Sequence, residues 1–217
     1  MQGEYYHLYN RGNSKQKIFH DARDYSRFIS LLYISNSKDN FNLYDLERNA
    51  DFNVYDLDRR ETLVSIGAFC LMPNHFHVLV REKIDGGISR FMQKLGTAYS
   101  MYYNKKYQRS GALFEGKFKS RHLDMDRYLK YIFAYIHLNP TKLIQRDWKE
   151  RGIKNVQQAL KYLKEYPYSS YKDFVGEKRV QVKILDVKVF PRYFPDKVSF
   201  KREILDWLTY DNDKNLR

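Results

Sequence analysis

The segment LMPNHFHVLV, residues 71–80, places two histidines one residue apart at the start of an apolar run. The aliphatic and β-branched residues of this run are typical of a β-strand. Side chains at i and i+2 of a strand project from the same face, so His75 and His77 point the same way. Their backbones lie roughly 6.5–7 Å apart at a rise of about 3.3 Å per residue, which allows two imidazoles to share a metal ion. By itself, a His-x-His pair more often consists of half-exposed strand residues without a ligand. A second segment of the sequence is needed to favour metal binding over this interpretation.

The sequence around this strand predicts an α+β fold. Apolar spacing and turn signals predict the order strand, helix, strand, strand, helix, strand-like segment, helix. The predicted segments are strands at 4–10, 63–71 and 74–81, helices at 21–35, 88–102 and 124–137, and the strand-like stretch 105–121. Asp21 and Asp124 are the candidate N-caps of the first and third helices. This order predicts an antiparallel sheet with helices on one face, followed by a helical C-terminal extension with helices near 156–163 and 199–208.

Residues 39–60 interrupt this pattern. The segment carries six acidic residues and three arginines, which makes it acidic inside a basic protein. We predict a surface insertion built on a small hairpin, which does not contact DNA.

The strongly positive net charge of the chain indicates the class of molecule that it binds. Lys and Arg number 39 against 26 Asp and Glu, a formal net charge of +13, and there are 20 tyrosines. A globular chain this basic is typical of nucleic-acid binding, although a generally basic solvated surface is the alternative. The single cysteine, Cys70, excludes an intrachain disulfide and a cysteine-based zinc cluster. Neither a signal-peptide pattern nor an apolar run of the ~20 residues that span a bilayer is present, so we expect a cytoplasmic protein with no membrane contact.

The second element is the helical segment YLKYIFAYIHLN, residues 128–139. Its spacing places Tyr135 and Asn139 on one face, four residues apart. If that face meets the two histidines, a metal can polarise a phosphate while the phenol oxygen attacks it. Tyr131, one turn earlier, is the alternative nucleophile, and His137 is predicted to be a surface or DNA-facing residue. A tyrosine on an amphipathic helix is more often a core residue, and an asparagine before proline often ends a helix.

The chain resembles the single-tyrosine HUH transposases, among them the REP-associated tyrosine transposases and related insertion-sequence transposases. Four segments carry the resemblance: YHLYNRG at 6–12, MPNHFH at 72–77, FEGKFK at 114–119 and YIHLNP at 135–140. The resemblance covers roughly residues 1–145, with a fainter match at 166–171. It predicts a catalytic domain at 1–145, interrupted by the insertion at 39–60, and a C-terminal extension at 146–217 of unknown role.

The resemblance implies a ferredoxin-like (RRM-like) sheet with the histidine pair on a central strand. It implies that His75, His77 and Asn139 bind a divalent cation and that Tyr135 is the nucleophile. Such enzymes cleave single-stranded DNA beside a hairpin, leaving a 5′-phosphotyrosine and a free 3′-OH. Imidazole pairs generally suit zinc or manganese better than magnesium. The resemblance implies Mg²⁺ or Mn²⁺, and an amide ligand with phosphate oxygens and water makes a hard, open site, so we favour Mg²⁺ or Mn²⁺.

The basic stretch 105–121 is the predicted contact with the nucleic-acid backbone, and its aromatic residues are candidates for base stacking. The predicted DNA-binding residues are Arg11, Lys105, Lys106, Arg109, Phe114, Lys117, Phe118, Lys119 and Arg121. The expected partner is single-stranded or hairpin DNA, bound by a monomer or a homodimer. Two alternatives stay open: a non-catalytic RRM-like nucleic-acid-binding protein, and an HUH nickase of the replication or conjugation type.

Overall fold

The structure, a computed structural model, describes residues 2–41, 43–46, 48 and 52–209. The strands are β1 (Tyr5–Arg11), β2 (Val64–Met72), β3 (His75–Glu82) and β4 (Lys119–His122). The α-helices are α1 (Ala22–Ile34), α2 (Leu43–Leu46), α3 (Gly87–Lys106), α4 (Asp126–Leu138), α5 (Trp148–Arg151), α6 (Val156–Glu165), α7 (Tyr171–Phe174) and α8 (Lys197–Thr209). Short 3-10 helices occupy Asn13–Lys15, Val54–Asp56, Asn139–Leu143, Val180–Ile184 and Val187–Val189. Within these described ranges, no helix has both the length and the apolar character that crossing a membrane requires.

The four strands form one antiparallel sheet in the order β2-β3-β1-β4. The histidine strand β3 is therefore central, as predicted. Its neighbour β1 runs beside it over its whole length, and the last pair of that register joins Arg11 to His75. The short strand β4 forms one edge of the sheet and pairs His7 with Arg121.

One face of the sheet packs against α1 and α3. Leu8, Phe76 and Val78 project from the strands into this core. They meet apolar residues of the two helices, among which Phe28 and Phe91 are fully buried. Helix α1 begins where the sequence predicts, because the Asp21 carboxylate accepts hydrogen bonds from the backbone amides at the helix start.

The opposite face of the sheet is covered by α4 and the C-terminal extension. Ala68, Cys70 and Leu79 pack there against Ile132 and Phe133 of α4. The prediction placed the helices on one face only, and the structure covers both. The reason is visible in β2, which is buried at every position and reads as a continuous apolar run rather than an alternating one.

The C-terminal extension protects the outer edge of the sheet. The backbone amide of Leu71 donates to the Tyr168 carbonyl, and the amide of Ser170 donates to the Phe69 carbonyl, both at 2.9 Å. These bonds satisfy groups on β2 that an exposed edge strand leaves open to other chains. The extension also builds an apolar cluster of its own with α4, which includes Trp148.

Two local predictions were wrong. The described parts of residues 39–60 form helical turns at Leu43–Leu46 and Val54–Asp56 rather than a hairpin; residues 42, 47 and 49–51 lie outside the description. This segment is also not purely superficial, because Val54 and Tyr55 are buried in the core. Helix α4 begins at Asp126 after Met125, so Asp124 is not its cap. The division into a domain at 1–145 and an extension at 146–217 stays a prediction.

Candidate active site

The histidine pair stands on the sheet face that α4 covers. His75 and His77 are two residues apart on β3, and their ring centroids lie 5.0 Å from each other. His7 projects from β1 to the same face, and its Nε2 lies 2.9 Å from Nδ1 of His77. The Nδ1 of His75 donates to the Asn74 carboxamide oxygen at 2.7 Å. When His77 donates to His7, both members of the pair present an Nε2 lone pair away from these partners.

Burial holds the three imidazoles in their neutral form. It lowers the pKa of His7 to about 4, with a further contribution from the positive charge of Arg121. Burial likewise lowers the pKa of His75 to about 4, helped by nearby cations. The pKa of His77 lies well below its usual value, mainly because of burial and then because of the neighbouring histidines. Neutral imidazole is the form that binds metal ions, so all three rings are metal-competent at neutral pH.

Helix α4 brings Tyr135 to this histidine group within a single chain, and Asn139 follows the last residue of the helix. The Tyr135 ring stands edge-on to the rings of His77 and His7, at centroid distances of 5.5 and 6.0 Å. The pKa of the Tyr135 phenol is raised by burial, an effect that a hydrogen bond with the Asn139 side chain opposes. Sequence spacing predicted that these two residues share a face, and the packing of α4 places the Tyr135 ring on His7 and His77.

Asn139 has an oxygen that fits a cation. Its Nδ2 donates to the Tyr135 carbonyl at 2.9 Å, but its Oδ1 is buried with no hydrogen-bond partner among the described residues. A buried amide oxygen without a donor is costly unless something else binds it. No group of three His, Cys, Asp or Glu side chains in the described chain has metal-binding geometry. Two imidazoles and one carboxamide oxygen would suit a divalent cation in an open site.

The alternative nucleophile occupies a different environment. The Tyr131 ring packs between Tyr135, at 5.8 Å, and Trp207 of α8, at 5.0 Å. Tyr135 is therefore the tyrosine of α4 whose ring meets the histidines.

The prediction for His137 was wrong. This residue is fully buried and has no exposed surface. Its Nδ1 donates to the Phe133 carbonyl at 2.8 Å, and its Nε2 accepts from the Ser170 hydroxyl at 2.7 Å. His137 is thus a structural link between α4 and the C-terminal extension.

Three residues near Tyr135 and the histidines were missed by reasoning from the sequence. His7 lies in a predicted strand, but only the pairing of β1 with β3 shows that it contacts His77. The ammonium of Lys149 lies 4.0 Å from the Tyr135 ring centroid, and that of Lys142 lies 5.9 Å from it. Burial and the charge of Lys142 lower the pKa of Lys149 to about 8. Nothing local in the sequence marks these lysines, which reach Tyr135 only through the fold.

The predicted DNA-binding residues fall on two faces of the sheet. Arg121 of β4 pairs with His7 of β1, so its side chain lies on the histidine face. Lys119 is two residues earlier on β4 and therefore lies on the same face. Phe114, Lys117 and Phe118 line a cavity of about 560 Å³ next to α3, on the other face. The pairing of Arg11 with His75 places Arg11 on the histidine face by the same rule, so the structure joins Lys119, Arg121 and Arg11 to that face.

Arg11 and the remaining three predicted contacts differ in their surroundings. Lys106 forms ion pairs with Asp24 and Asp21 at 2.6 and 2.8 Å, and Arg11 forms an ion pair with Glu115. The Arg109 guanidinium lies 5.6 Å from the centroid of a tyrosine ring, and Lys105 is exposed near the end of α3. Their contact with DNA stays a prediction.

Comparisons with known proteins agree with the resemblance seen in the motifs. Residues 59–139 match the family model described as "Transposase IS200 like", a segment that includes both histidines of the pair, Tyr135 and Asn139. The fold is similar to the solved structure of a REP-associated tyrosine transposase bound to a REP hairpin, with a TM-score of 0.50 and 13% identity. That match covers 83% of this chain and 86% of the other. No curated protein sequence matches significantly. The predicted fold class and the predicted resemblance to single-tyrosine transposases are confirmed.

Proposed function

Taking the similarity to the IS200-like transposases as a premise, we propose that this protein cleaves single-stranded DNA beside a hairpin, with Tyr135 as nucleophile. One observation carries the proposal: α4 places the Tyr135 ring against the rings of His77 and His7 in one chain, with the Asn139 carboxamide bound to the Tyr135 backbone carbonyl. The DNA hairpin in the similar structure makes a folded single strand the natural substrate class.

The chemistry follows from the phenol. The Tyr135 oxygen attacks the scissile phosphate in line, the bond to the 3′ oxygen breaks, and the 5′ phosphate stays attached to the protein. The covalent phosphotyrosine conserves the energy of the broken phosphodiester, so a later strand end with a free 3′-OH reverses the step and joins the strands. Burial around Tyr135 limits access of water to this linkage.

A divalent cation, Mg²⁺ or Mn²⁺, would be held by Nε2 of His75, Nε2 of His77 and Oδ1 of Asn139. When bound, it supplies Lewis-acid polarisation of the phosphate and charge stabilisation during the attack. His7 and Asn74 bind the other ring nitrogens of the pair and so fix their orientation. The unpartnered Asn139 oxygen supports this set of ligands.

The first test is the formation of a covalent adduct. End-labelled single-stranded hairpin DNA from around the protein's own gene is incubated with protein and Mg²⁺ or Mn²⁺, then run on a denaturing gel. The wild type should give a shifted band, and EDTA should abolish it. Tyr135→Phe should retain DNA affinity but lose both the adduct and nicking, because it lacks the attacking oxygen.

Tyr131→Phe is the matched control, since it removes a hydroxyl from the same helix one turn away. It should keep adduct formation within about threefold of the wild type. An adduct in Tyr135→Phe, or its loss only in Tyr131→Phe, contradicts the assignment of the nucleophile. DNA binding without any adduct supports a non-catalytic binding protein instead.

A further inference from the structure

Building on the proposed function, we infer that Lys149 is a further catalytic residue, whose ammonium group binds a non-bridging oxygen of the phosphate that Tyr135 attacks. Lys149 belongs to the C-terminal extension and lies beyond the segment 59–139 that the family model matches. The inference gives this part of the extension a role in the reaction.

The placement of the ammonium is the first argument. Its nitrogen lies 4.0 Å from the centroid of the Tyr135 ring, while the imidazole rings of His77 and His7 contact the same ring edge-on. A phosphate that reacts with the Tyr135 hydroxyl has its non-bridging oxygens next to this ring. The lysine side chain is a flexible four-carbon stem with three donors, so a small rotation brings the ammonium to such an oxygen.

The anchoring of Lys149 is the second argument. Its neighbour Trp148 is buried in an apolar cluster with Ala134 and Leu138 of α4, the helix that carries Tyr135. The tryptophan therefore ties the backbone of α5 to the helix of the nucleophile. The distance between Lys149 and Tyr135 is consequently set by core packing rather than by a free surface loop.

The local charge is the third argument. Lys142 is a second cation close to the ring, with its ammonium 5.9 Å from the centroid. Burial and this neighbour lower the pKa of Lys149 more than the Glu150 carboxylate raises it, so burial leaves a free-energy cost on the protonated form. A phosphate oxygen offsets that cost, and a charge contact in a partly desolvated site is stronger than one in water.

The step balances without any further reactant. The O–H bond of Tyr135 breaks, its oxygen forms a bond to phosphorus, and the bond from phosphorus to the 3′ oxygen breaks. The phenol proton passes to water and the leaving 3′ oxygen takes up a proton from water. The Lys149 ammonium keeps its three protons and stabilises the charge on the phosphoryl oxygens during the transfer.

The kinetic test compares rates of adduct formation at saturating hairpin DNA. Lys149→Met keeps the length and apolar stem of the side chain but removes the charge, and it should slow the reaction about 100-fold. Lys149→Arg should recover most of the rate. Lys161→Ala, which removes an exposed charge from α6, is the matched control and should react like the wild type. Thermal unfolding of each variant checks that the fold is intact.

The second measurement does not depend on cleavage. Tyr135→Phe is acetylated in limiting reagent with and without hairpin DNA, and the modification of each lysine is read by mass spectrometry. The DNA should protect Lys149 strongly and Lys161 little. A wild-type rate for Lys149→Met, or equal acetylation of Lys149 with and without DNA, overturns the inference. If the wild type forms no adduct but DNA protects Lys149, the cleavage proposal fails while the phosphate contact stands.

Discussion

At the scale of single residues, the environment decides what each histidine does. His75 and His77 share a strand face and keep one ring nitrogen unused by their hydrogen-bond partners. His137 lies only two residues from Tyr135, yet both of its ring nitrogens are engaged in structural hydrogen bonds. The same side chain thus serves as a candidate ligand in one place and as a buried link in another.

His137 makes stability depend on pH. Burial lowers its pKa from 6.5 to about 3, so the unfolded chain takes up a proton well before the folded protein does. Stability is therefore full above pH 6.5 and falls as the pH drops from 6.5 towards 3, by about 1.4 kcal/mol per pH unit. At pH 5 this residue alone should cost about 2 kcal/mol relative to pH 7.5.

Urea unfolding at pH 7.5 and pH 5, in EDTA, measures this effect. His137→Gln can still donate to Phe133 and accept from Ser170, but it does not titrate, so its loss of stability on acidification should be smaller by about 2 kcal/mol. Acidification also reduces stability through His7, His75 and His77, whose pKa values are lowered too. This loss is the same in both proteins and cancels when they are compared. An equal loss in both proteins would show that His137 is protonated in the folded state.

At the scale of elements, β2 has a bulge at the place where the C-terminal extension packs against it. The pairing of β2 with β3 shifts between Ile66 and Ala68, which leaves Gly67 as the extra residue. A Cβ at Gly67 would lie 2.7 Å from the ring of Phe190, a buried residue of the extension. The glycine is thus required by the close approach of that ring.

Gly67→Ala should destabilise the protein by about 1–3 kcal/mol, because the Phe190 ring has to move away from β2. The cost should shrink when Phe190→Leu is present, since the smaller side chain relieves the overlap. Gly96→Ala in α3 is the control: its Cβ meets nothing within 4 Å, so it should be neutral or stabilising by up to about 1 kcal/mol. Urea unfolding of Gly67→Ala, Phe190→Leu, the double variant and Gly96→Ala gives the loss of stability in each. If the losses of the Gly67 and Phe190 variants simply add in the double variant, the contact between the two residues is contradicted.

At the scale of the whole molecule, the chain carries a formal net charge of +13, and part of its positive charge stands on the sheet. The β4 residues Lys119 and Arg121 stand on the histidine face, beside the candidate site. We therefore expect the strand that enters the site to cross β4.

The salt dependence of DNA binding tests this path. Lys119→Ala with Arg121→Ala should reduce the slope of log K against log salt by about 1.4, at roughly 0.7 for each lost phosphate contact on a single strand. Fluorescence anisotropy in the Tyr135→Phe background keeps binding reversible. The pair Lys161→Ala with Lys164→Ala on α6 removes the same charge elsewhere, and an equal change in slope there would mean that only net charge matters.

Local patterns in the sequence determined the strands, the main helices and two pairs of candidate residues. The shared face of His75 and His77 follows from strand alternation, and that of Tyr135 and Asn139 follows from the helical turn, both of which depend only on spacing. The resemblance added their roles. Periodicity says which residues share a face, but it does not say what that face packs against.

Only the tertiary structure decided which faces meet. Four features join residues of different elements: the burial of both sides of the sheet, the contact of His7 with His77, the burial of His137 and the approach of Lys149 to Tyr135. Such contacts depend on the packing of whole elements, for which no local spacing carries a signal. The sequence therefore predicts the histidine pair and the tyrosine–asparagine pair separately, and only the fold determines which residues they contact.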